Sequence, residues 1–494
     1  MIYTLWELLL REKHARWYRS FLSFIQRLSR GQLMQNSFPS LHILQDYYKK
    51  QEKIALEEYF AFLRFQSISS EIGYTSQMEA CAQWVMSYLK NIGFEAEIWP
   101  TKGHPVIFAS YMKAGPSQPT LLIYNHYDVQ PIDPLEAWHT SPFEPTIRHG
   151  EVYARGAQDN KGQCFYTLFA IKALMNIDGK LPINVKFCIE GEEECGSLGL
   201  SGLLAYKKKE LQADYLAIVD LGLRHATAPA VTLGVRGIVT MDVEVKGTKT
   251  DLHSGSYGGI AYNPLHALVD ILAQLRDPTG RIRIPDFYKD VQELSPEEKE
   301  RITFDFDEQD YFFTFGAKPT GGEKNYTPLE RSWLRPTIEI NGISGGYAGE
   351  GFKTVIPSQA TAKLSCRLVP HQSPEETAKK IANFIEQKAP EGVEVKVHIH
   401  AGGGKAVRIE PSSKCVQAFA KAYEEVYKTS CAFTYSGGSI PIIQQLSEAS
   451  QSEVVLMGLG LPDDQIHAPN EHFGIDRLEK GYLIIARTLE FLAN

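Results

Sequence analysis

The segment LLIYNHYD, residues 121–128, places a short apolar run directly before the imidazole of His126 and the carboxylate of Asp128. The same arrangement occurs at residues 185–194, which end in a cluster of glutamates, and at residues 216–220, which end in an aspartate. Because sites in open α/β sheets form outside the carboxyl ends of the strands, these runs predict one crevice with a histidine and several carboxylates. Removing so much like charge from water is costly without a cation, so the crevice favours a bound metal.

Helical segments alternate with these apolar runs, which is typical of a mostly parallel sheet covered by helices on both faces. Before residue 234 the predicted helices are Glu57–Arg64, Met78–Ile92, Gly162–Asn176 and Leu198–Glu210, and the predicted strands are Pro119–Tyr124, Ile183–Ile189 and Tyr215–Val219. After residue 401 they are helices Lys414–Lys428, Ser439–Leu446 and Arg477–Leu492 and strand Val454–Met457. The predicted fold class is therefore α/β.

Between these two parts the order of predicted elements becomes β-α-β-β-α-β, the ferredoxin-like motif. Its strands are Thr240–Val245, Thr337–Ile340, Ala360–Leu368 and Val393–His400, and its helices are Pro264–Leu275 and Pro374–Gln387. We expect an α+β ferredoxin-like domain over residues 234–401, inserted into a discontinuous α/β domain of residues 51–233 plus 402–494. The acidic and aromatic stretch Arg281–Arg335 is interpreted as an insertion within the motif.

The composition excludes several classes of protein. Of the 494 residues, 43% are hydrophobic and 22% charged, which is ordinary for a globular chain and excludes disordered, collagen-like and coiled-coil proteins. A net charge of −8 gives no electrostatic footprint for nucleic acid. The seven cysteines form no CxxC pair, which favours a reducing compartment, and we expect a cytoplasmic protein.

The N-terminal extension, residues 1–50, is expected to be helical but is otherwise unassigned. Leu8–Leu10 is too short and too closely flanked by charges for a signal peptide, and no apolar run in the chain reaches the roughly 18 residues of a membrane span. Residues 1–30 carry six Arg and Lys against two Glu, with an apolar helical face that includes Trp17 and Phe21. Contact with a membrane surface is one interpretation. We favour a helix packed on the body, or a true start at Met34.

Three acidic residues outside the first segment have both a chemical and a plain interpretation. Asp159 stands in a polar loop that runs into a helix, where it can bind a metal or cap the helix. Glu193 and Glu194 directly follow a predicted strand, where one can bind a metal while its neighbour moves protons. A run of charges is more often a solvated face. Single loop histidines such as His253 and His467 are usually structural.

His126 and Asp128 are two residues apart, so an extended chain places them on one face. A carboxylate behind a histidine strengthens it as a metal ligand, although the pair alone can equally be a polar strand end. The sequence contains no GxxxxGK[ST], HExxH or GxGxxG signature. The sequence therefore gives no motif evidence for a P-loop or a Rossmann protein.

Several short segments, taken in their order along the chain, are together more specific than any one of them alone. They are His126–Pro131, Arg155–Gly162, Glu190–Ser197, Asp251–Gly259, Lys353–Pro357 and Gly437–Pro441. Together they resemble the M20 family of metallopeptidases, particularly its carnosinase and cytosolic non-specific dipeptidase branch, over roughly residues 50–494.

The resemblance implies two divalent metal ions, with Zn²⁺ expected first and Mn²⁺ as the alternative. It implies that one metal is held by His126, Asp159 and Asp220. The other would be held by Asp159, Glu194 and His467, so that Asp159 bridges the pair.

The same resemblance implies roles for the neighbouring residues. Asp128 would orient His126, and Glu193 would be the general base that takes a proton from a metal-bridging water and passes it to the leaving amine. The peptide bond between Asp159 and Asn160 is expected to be cis.

For the substrate, the resemblance implies that Thr354, Arg367, Gly438 and Ser439 bind its C-terminal end. An arginine can hold a free carboxylate bidentately, although a plain surface arginine is the alternative at position 367. The branch forms homodimers through the inserted domain, which acts as a lid. His253 would reach the partner subunit's active site and help to stabilise the oxyanion.

The sequence departs from the branch in two places. Tyr435 and Ser436 stand where an Arg-Glu pair is usual before Gly-Gly-Ser-Ile-Pro, and Asn160 stands where a second aspartate is usual. The site is therefore expected to accept a different N-terminal side chain.

The leading functional prediction is metal-dependent hydrolysis of the peptide bond of dipeptides or short peptides. The same chemistry on N-acyl amino acids or on N-succinyl-diaminopimelate is an alternative. A non-catalytic binding protein is the least favoured interpretation, because every expected ligand and the base are present.

Overall fold

The computed structural model describes residues 38–293, 295–300 and 306–494. The basic residues of segment 1–30 and Met34 lie outside the described residues. The predictions of membrane contact and of a start at Met34 therefore stay predictions. Within the described residues, no helix combines the length and the apolar character needed to cross a lipid bilayer.

The helices, in chain order from α1 to α14, alternate with strands over most of the chain. They are Leu41–Leu63, Thr75–Asn91, Lys161–Asp178, Leu198–Leu204, Lys208–Leu211, Ser254–Tyr257, Pro264–Ala273, Pro296–Glu300, Glu308–Phe315, Pro328–Trp333, Pro374–Glu386, Lys414–Tyr427, Ile442–Ser450 and Ile475–Ala493. Short 3₁₀ turns cover Ile72–Tyr74, Leu135–Ala137 and Glu193–Cys195.

The strands, from β1 to β18, fall into four sheets among the described residues. They are Glu95–Trp99, Val106–Tyr111, Thr120–His126, Thr146–Arg148, Glu151–Tyr153, Asn184–Glu190, Tyr215–Val219, Ala230–Val235, Gly237–Lys246, Leu252–His253, Thr337–Gly345, Val355–Ile356, Gln359–Leu368, Glu394–Ile399, Val407–Arg408, Ala432–Ser436, Glu453–Met457 and His472–Gly474.

The largest sheet has the order β1-β2-β6-β3-β7-β17-β8-β15, with β16 also paired to β8. Its centre, β6-β3-β7-β17, is parallel, whereas the strands towards both edges pair mainly antiparallel. The central strands β3 and β6 are buried along their whole length, because helices cover both faces. The predicted α/β class with a parallel centre is confirmed.

A separate four-stranded antiparallel sheet has the order β11-β13-β9-β14. Its strand β9 alternates between buried and more exposed residues, and the buried side packs with α7 and α11 in a second hydrophobic core. The chain order of these elements is the predicted ferredoxin-like β-α-β-β-α-β. Helix α11 begins at Pro374, as predicted, after the N-cap Ser373, whose hydroxyl accepts a hydrogen bond from the backbone N–H of Glu376.

Two elements differ from the prediction. Helix α1 begins at Leu41, and its residues Leu44 and Tyr48 are buried in the larger core, so the predicted boundary at residue 50 falls inside a packed helix. The predicted helix Leu198–Glu210 is two shorter helices, α4 and α5. Between them Lys207 leaves the helical conformation, with φ −109° and ψ 14°, and the neighbouring Tyr206 side chain is 84% exposed.

Candidate metal centre

The carboxyl ends of the central parallel strands meet at one edge of the large sheet. His126 ends β3, Asp220 directly follows β7, and Asp159 lies in the loop before α3. The His126 Nε2 atom lies 3.1 Å from Asp159 Oδ1 and 3.6 Å from Asp220 Oδ1. The strand-end argument from the sequence therefore applies to His126 and Asp220, whereas Asp159 reaches the same place from a loop.

A second group adjoins the first through the same aspartate. The other carboxylate oxygen of Asp159, Oδ2, lies 3.0 Å from His467 Nε2, and that nitrogen lies 3.2 Å from Glu194 Oε2. Asp159 thus contacts one histidine with each oxygen, and the two histidines come from positions far apart in the chain.

These side chains form two sets of ligand atoms, each within 4.8 Å of one another. One set comprises His126, Glu193 and Asp220, and the other comprises Asp159, Glu194 and His467. Imidazole nitrogens mixed with carboxylate oxygens are the donors that Zn²⁺ and similar divalent ions take. The Glu194 Oε1 atom is buried without a hydrogen-bond partner in the described structure, as expected of an oxygen reserved for a cation.

The pKa values of the side chains in the two sets are shifted because several acids lie close together away from water. Burial and the neighbouring Asp159 raise the pKa of Glu194 to about 7. Burial, followed by the carboxylates of Asp220, Glu194 and Asp159, raises the pKa of Glu193 well above its usual range, although His126 opposes this. Hydrogen bonds to Asp159 and Glu194 raise the pKa of His467 to about 11. Divalent cations would relieve this repulsion, so the residues present fit a pair of them.

Asp128 supports both sets from behind. Its Oδ1 lies 3.2 Å from His126 Nδ1, and both residues are fully buried. Its two oxygens also accept hydrogen bonds from the backbone N–H groups of Glu193, at 3.3 Å, and Glu194, at 3.1 Å. With Nδ1 turned towards Asp128, the Nε2 atom of His126 remains for a metal, as the predicted orienting role requires.

Glu471, which the sequence analysis missed, fixes the loop that carries Asp159. Its carboxylate is fully buried and accepts hydrogen bonds from Arg155 Nη1 and the backbone N–H of Gly156, both at 2.8 Å, and from the backbone N–H groups of Gln158 and Asp159, both at 2.9 Å. Glu471 lies four residues beyond His467, so it ties the two ligand-bearing loops together. The only sequence signal was its proximity to His467.

Asn160, the departure from the usual second aspartate, is part of a buried amide network. The peptide bond between Asp159 and Asn160 is cis, as expected. The Asn160 Nδ2 group donates to Asp220 Oδ1 at 2.7 Å, and its Oδ1 accepts from Asn125 Nδ2 at 2.8 Å. A carboxylate could not donate to Asp220, so the amide suits this pattern better than an ionised aspartate would.

A cleft of about 490 Å³ opens beside the two sets, and we call it the active-site cleft. Its lining includes metal-centre residues and predicted substrate-binding residues, namely Asp159, Glu193, Asp220, His467, Arg367, Gly438 and Ser439. Arg367 Nη1 donates to Ser439 Oγ at 2.7 Å. The structure therefore brings three of the four predicted substrate-binding residues to the same cleft as the metal centre.

His253 and Thr354, both within the described residues, lie elsewhere. They are exposed on the small β10–β12 ribbon, where His253 pairs with Val355, and neither lines the active-site cleft. The Nδ1 atom of His253 accepts hydrogen bonds from the backbone N–H groups of Gly255 and Ser256 and so caps α6. The chain by itself does not bring these two residues to the cleft.

Comparison with known proteins agrees with this geometry. Residues 122–490 match the Peptidase family M20/M25/M40. The chain belongs to this family. The resemblance inferred from the motifs is thereby confirmed.

Similar M20 proteins span nearly the whole chain. The Cys-Gly metallodipeptidase of Schizosaccharomyces pombe is 30% identical over 453 residues, covering 87% of this chain and 93% of its own. The human Beta-Ala-His dipeptidase is 33% identical over 373 residues, covering 74% of this chain and 73% of its own. The crystal structure of an M20 family metallo-carboxypeptidase from Sulfolobus solfataricus, 34% identical, superposes with a TM-score of 0.81 over 89% of this chain and 99% of its own.

Proposed function

We propose that this M20 metallopeptidase hydrolyses the peptide bond of dipeptides or short peptides with two divalent metal ions. The observation that carries the proposal is the shared carboxylate of Asp159, which contacts His126 through one oxygen and His467 through the other. The names of the similar proteins, two dipeptidases and a carboxypeptidase, support a small peptide as the substrate.

We assign one ion to His126, Asp159 and Asp220 and the other to Asp159, Glu194 and His467. Zn²⁺ is our first choice and Mn²⁺ the second, since imidazole and carboxylate donors suit both. When bound, such a pair polarises a carbonyl group and lowers the pKa of water towards neutrality.

Glu193 is the proposed general base. Its half-buried carboxylate lies within 4.8 Å of ligand atoms of His126 and Asp220, and the Asp128 carboxylate accepts a hydrogen bond from its backbone N–H. A carboxylate with a raised pKa can accept a proton from the attacking water near neutral pH and return it to the leaving amine. Arg367, held by Ser439, would bind the free carboxylate at the C-terminal end of the substrate.

The proposed enzyme is a homodimer in which His253 and Thr354 complete the active site of the partner subunit. Their exposure on a ribbon away from the cleft supports this arrangement, because a single chain leaves both without contact to the substrate. Mixing His253→Ala with Glu193→Gln protein tests it, since each mixed dimer would regain one complete site. Recovery of activity on mixing is expected, and no recovery in dimers shown to exchange subunits would refute the role in trans.

A cytoplasmic location remains part of the proposal. All seven cysteines lie within the described residues and none is paired in a disulfide, which supports a reducing compartment.

The decisive experiment is turnover of a panel of dipeptides, tripeptides and N-acyl amino acids by protein loaded with Zn²⁺ or Mn²⁺. We expect cleavage of dipeptides that is lost on chelation and falls by several orders of magnitude in Glu193→Gln. Because Glu193→Gln keeps the assigned ligands, it should still bind metal like the wild type. Cleavage of N-acyl amino acids alone would replace the dipeptidase proposal with a deacylase, and no turnover at all would favour a binding protein.

A further inference from the structure

The charges that line the active-site cleft are distributed unevenly. Among the described residues that line it, the only acids are Asp159, Glu193 and Asp220, all of which belong to the metal centre. Apart from His467, which belongs to the metal centre, the other charged residues in the described lining are two arginines, Arg224 and Arg367. Once divalent cations balance the three acids, these two arginines are the charges that the described lining offers to the rest of a substrate.

The proposed function already assigns Arg367 to the C-terminal carboxylate of the substrate. Arg367 donates to Ser439, and behind it Arg236 donates to the backbone carbonyl of Gly437 at 3.0 Å. Burial, together with repulsion from Arg367, lowers the pKa of Arg236 to about 10. An anion bound at Arg367 would relieve this repulsion, and the C-terminal carboxylate of a peptide supplies one such anion.

Arg224 is a second cation, on a different element. It lies four residues after Asp220, on a loop held by a hydrogen bond from the backbone N–H of Leu223 to the carbonyl of Gly460 at 2.7 Å. Its guanidinium centre lies 5.5 Å from the ring centroid of Trp333, the last residue of α10, which belongs to the predicted insertion Arg281–Arg335. The insertion therefore contributes a wall of the cleft and an aromatic surface for Arg224.

The surroundings of Arg224 favour binding of a carboxylate. Thr232 and Thr434 line the same cleft, and both are buried and neutral. Partial burial strengthens a charge-assisted hydrogen bond, and contact with an aromatic ring limits the freedom that the guanidinium would lose on binding.

We propose that the preferred substrates are dipeptides whose first residue carries a carboxylate, such as Asp-X and Glu-X, and that Arg224 binds that carboxylate. This inference rests on the proposed dipeptidase function. Arg367 and Ser439 are assigned to the terminal carboxylate, and Arg224, which follows Asp220 of the metal centre by four residues, is assigned to the side chain of the first residue.

The test compares substrates that differ only in charge. Wild-type protein loaded with Zn²⁺ or Mn²⁺ is assayed with Glu-Gly against Gln-Gly and with Asp-Gly against Asn-Gly. We expect kcat/KM to favour the acidic member by about 10- to 100-fold, the scale of one charge-assisted hydrogen bond. In Arg224→Gln this preference for the acidic member should disappear, and Arg224→Lys should retain part of it.

Binding gives a second readout that needs no turnover. In the Glu193→Gln background, calorimetry should give a lower Kd for Glu-Gly than for Gln-Gly, and Arg224→Gln should remove the difference. This comparison also works if Arg224→Gln alone lowers stability, because both ligands are measured on the same protein.

Several results would overturn the inference. Equal cleavage of Glu-Gly and Gln-Gly by wild type, or a preference that persists in Arg224→Gln, would refute the role of Arg224 while leaving the dipeptidase proposal intact. A charge preference seen only for Gly-Glu over Gly-Gln would refute the assignment to the first residue. Failure to cleave any dipeptide would instead refute the proposed function, and this inference with it.

Discussion

The substitution Glu471→Gln tests whether the buried carboxylate behind the metal centre holds the Asp159 loop in place. Each carboxylate oxygen accepts two hydrogen bonds: one oxygen serves Arg155 and Gly156, and the other serves Gln158 and Asp159. An amide keeps only one acceptor oxygen. The substitution therefore turns an NH₂ group towards two donors whichever way the side chain is placed.

The cost follows from which donors lose their acceptor. If the NH₂ group faces Gln158 and Asp159, two buried backbone N–H groups are left unsatisfied at about 1–3 kcal/mol each. If it faces Arg155, a buried guanidinium loses its partner, at about 3–5 kcal/mol. Because the amide takes the less costly placement, we expect the free energy of unfolding to fall by about 2–6 kcal/mol. Metal affinity should fall about 10- to 100-fold, because a supporting partner of a ligand is lost.

Urea unfolding and competition with a chromogenic chelator measure the two quantities. The control is Glu144→Gln, because Glu144 also accepts hydrogen bonds from an arginine, Arg64, but on the exposed surface. The control should change neither quantity measurably. If Glu471→Gln matched Glu144→Gln in both stability and metal affinity, the proposed role of Glu471 would be refuted.

Two further predictions concern Glu190 and Gly162. Glu190 is fully buried, and burial raises its pKa from 4.5 to about 8. The folded state therefore holds a proton that the unfolded state has lost, so the contribution of this group is complete below about pH 4.5 and is lost as the pH rises through about 8. Glu190→Gln mimics the protonated acid, so its advantage over the wild type in free energy of unfolding, measured by urea unfolding, should widen over this window by up to about 1.4 kcal/mol per pH unit. A constant difference would contradict the buried, protonated acid. A Cβ atom on Gly162, in the first turn of α3, would lie 2.0 Å from the carbonyl oxygen of Ala157. Gly162→Ala should therefore cost about 1–3 kcal/mol in thermal unfolding. Gly202→Ala, where a Cβ would have nothing within 4 Å, should be neutral or stabilising, and equal melting temperatures for the two variants would refute the steric argument.

The part of the metal centre that the sequence predicts is the part carried by regular strands. His126 and Asp220 stand at the ends of apolar runs, and parallel pairing of β3 with β7 brings such ends together whatever the loops do. Asp159 and His467 come from loops, and their placement was implied by resemblance to a family. Glu194 lies in the turn after β6, so the strand end placed it near the crevice and the resemblance implied its role as a ligand. Local pattern alone left each of these with a plain alternative.

The supporting contacts were beyond prediction for a physical reason. Glu471 accepts hydrogen bonds from backbone N–H groups of a loop about three hundred residues earlier. Every residue except proline has such a group, so the sequence does not indicate which of them a distant carboxylate will bind. The break between α4 and α5 is similar, because contacts made outside the helix decide it. Lys186, on β6, donates its ammonium group to the backbone carbonyls of Glu210 and Gln212 at the end of α5.

The discontinuity of the larger core has a consequence for how the chain is made on the ribosome. Strand β17 pairs with β7 in the middle of the large sheet, and α14 packs against α1, α3 and α12. The sheet lacks one of its central strands until Met457 has been translated and its covering helix α14 until Ala493, whereas the sheet β11-β13-β9-β14 is complete once Ile399 has emerged. The inserted domain that contains this four-stranded sheet can therefore fold before the larger domain, against the usual N-terminal-first order. During that time Asp159, Glu194 and Asp220 have been translated but His467 has not.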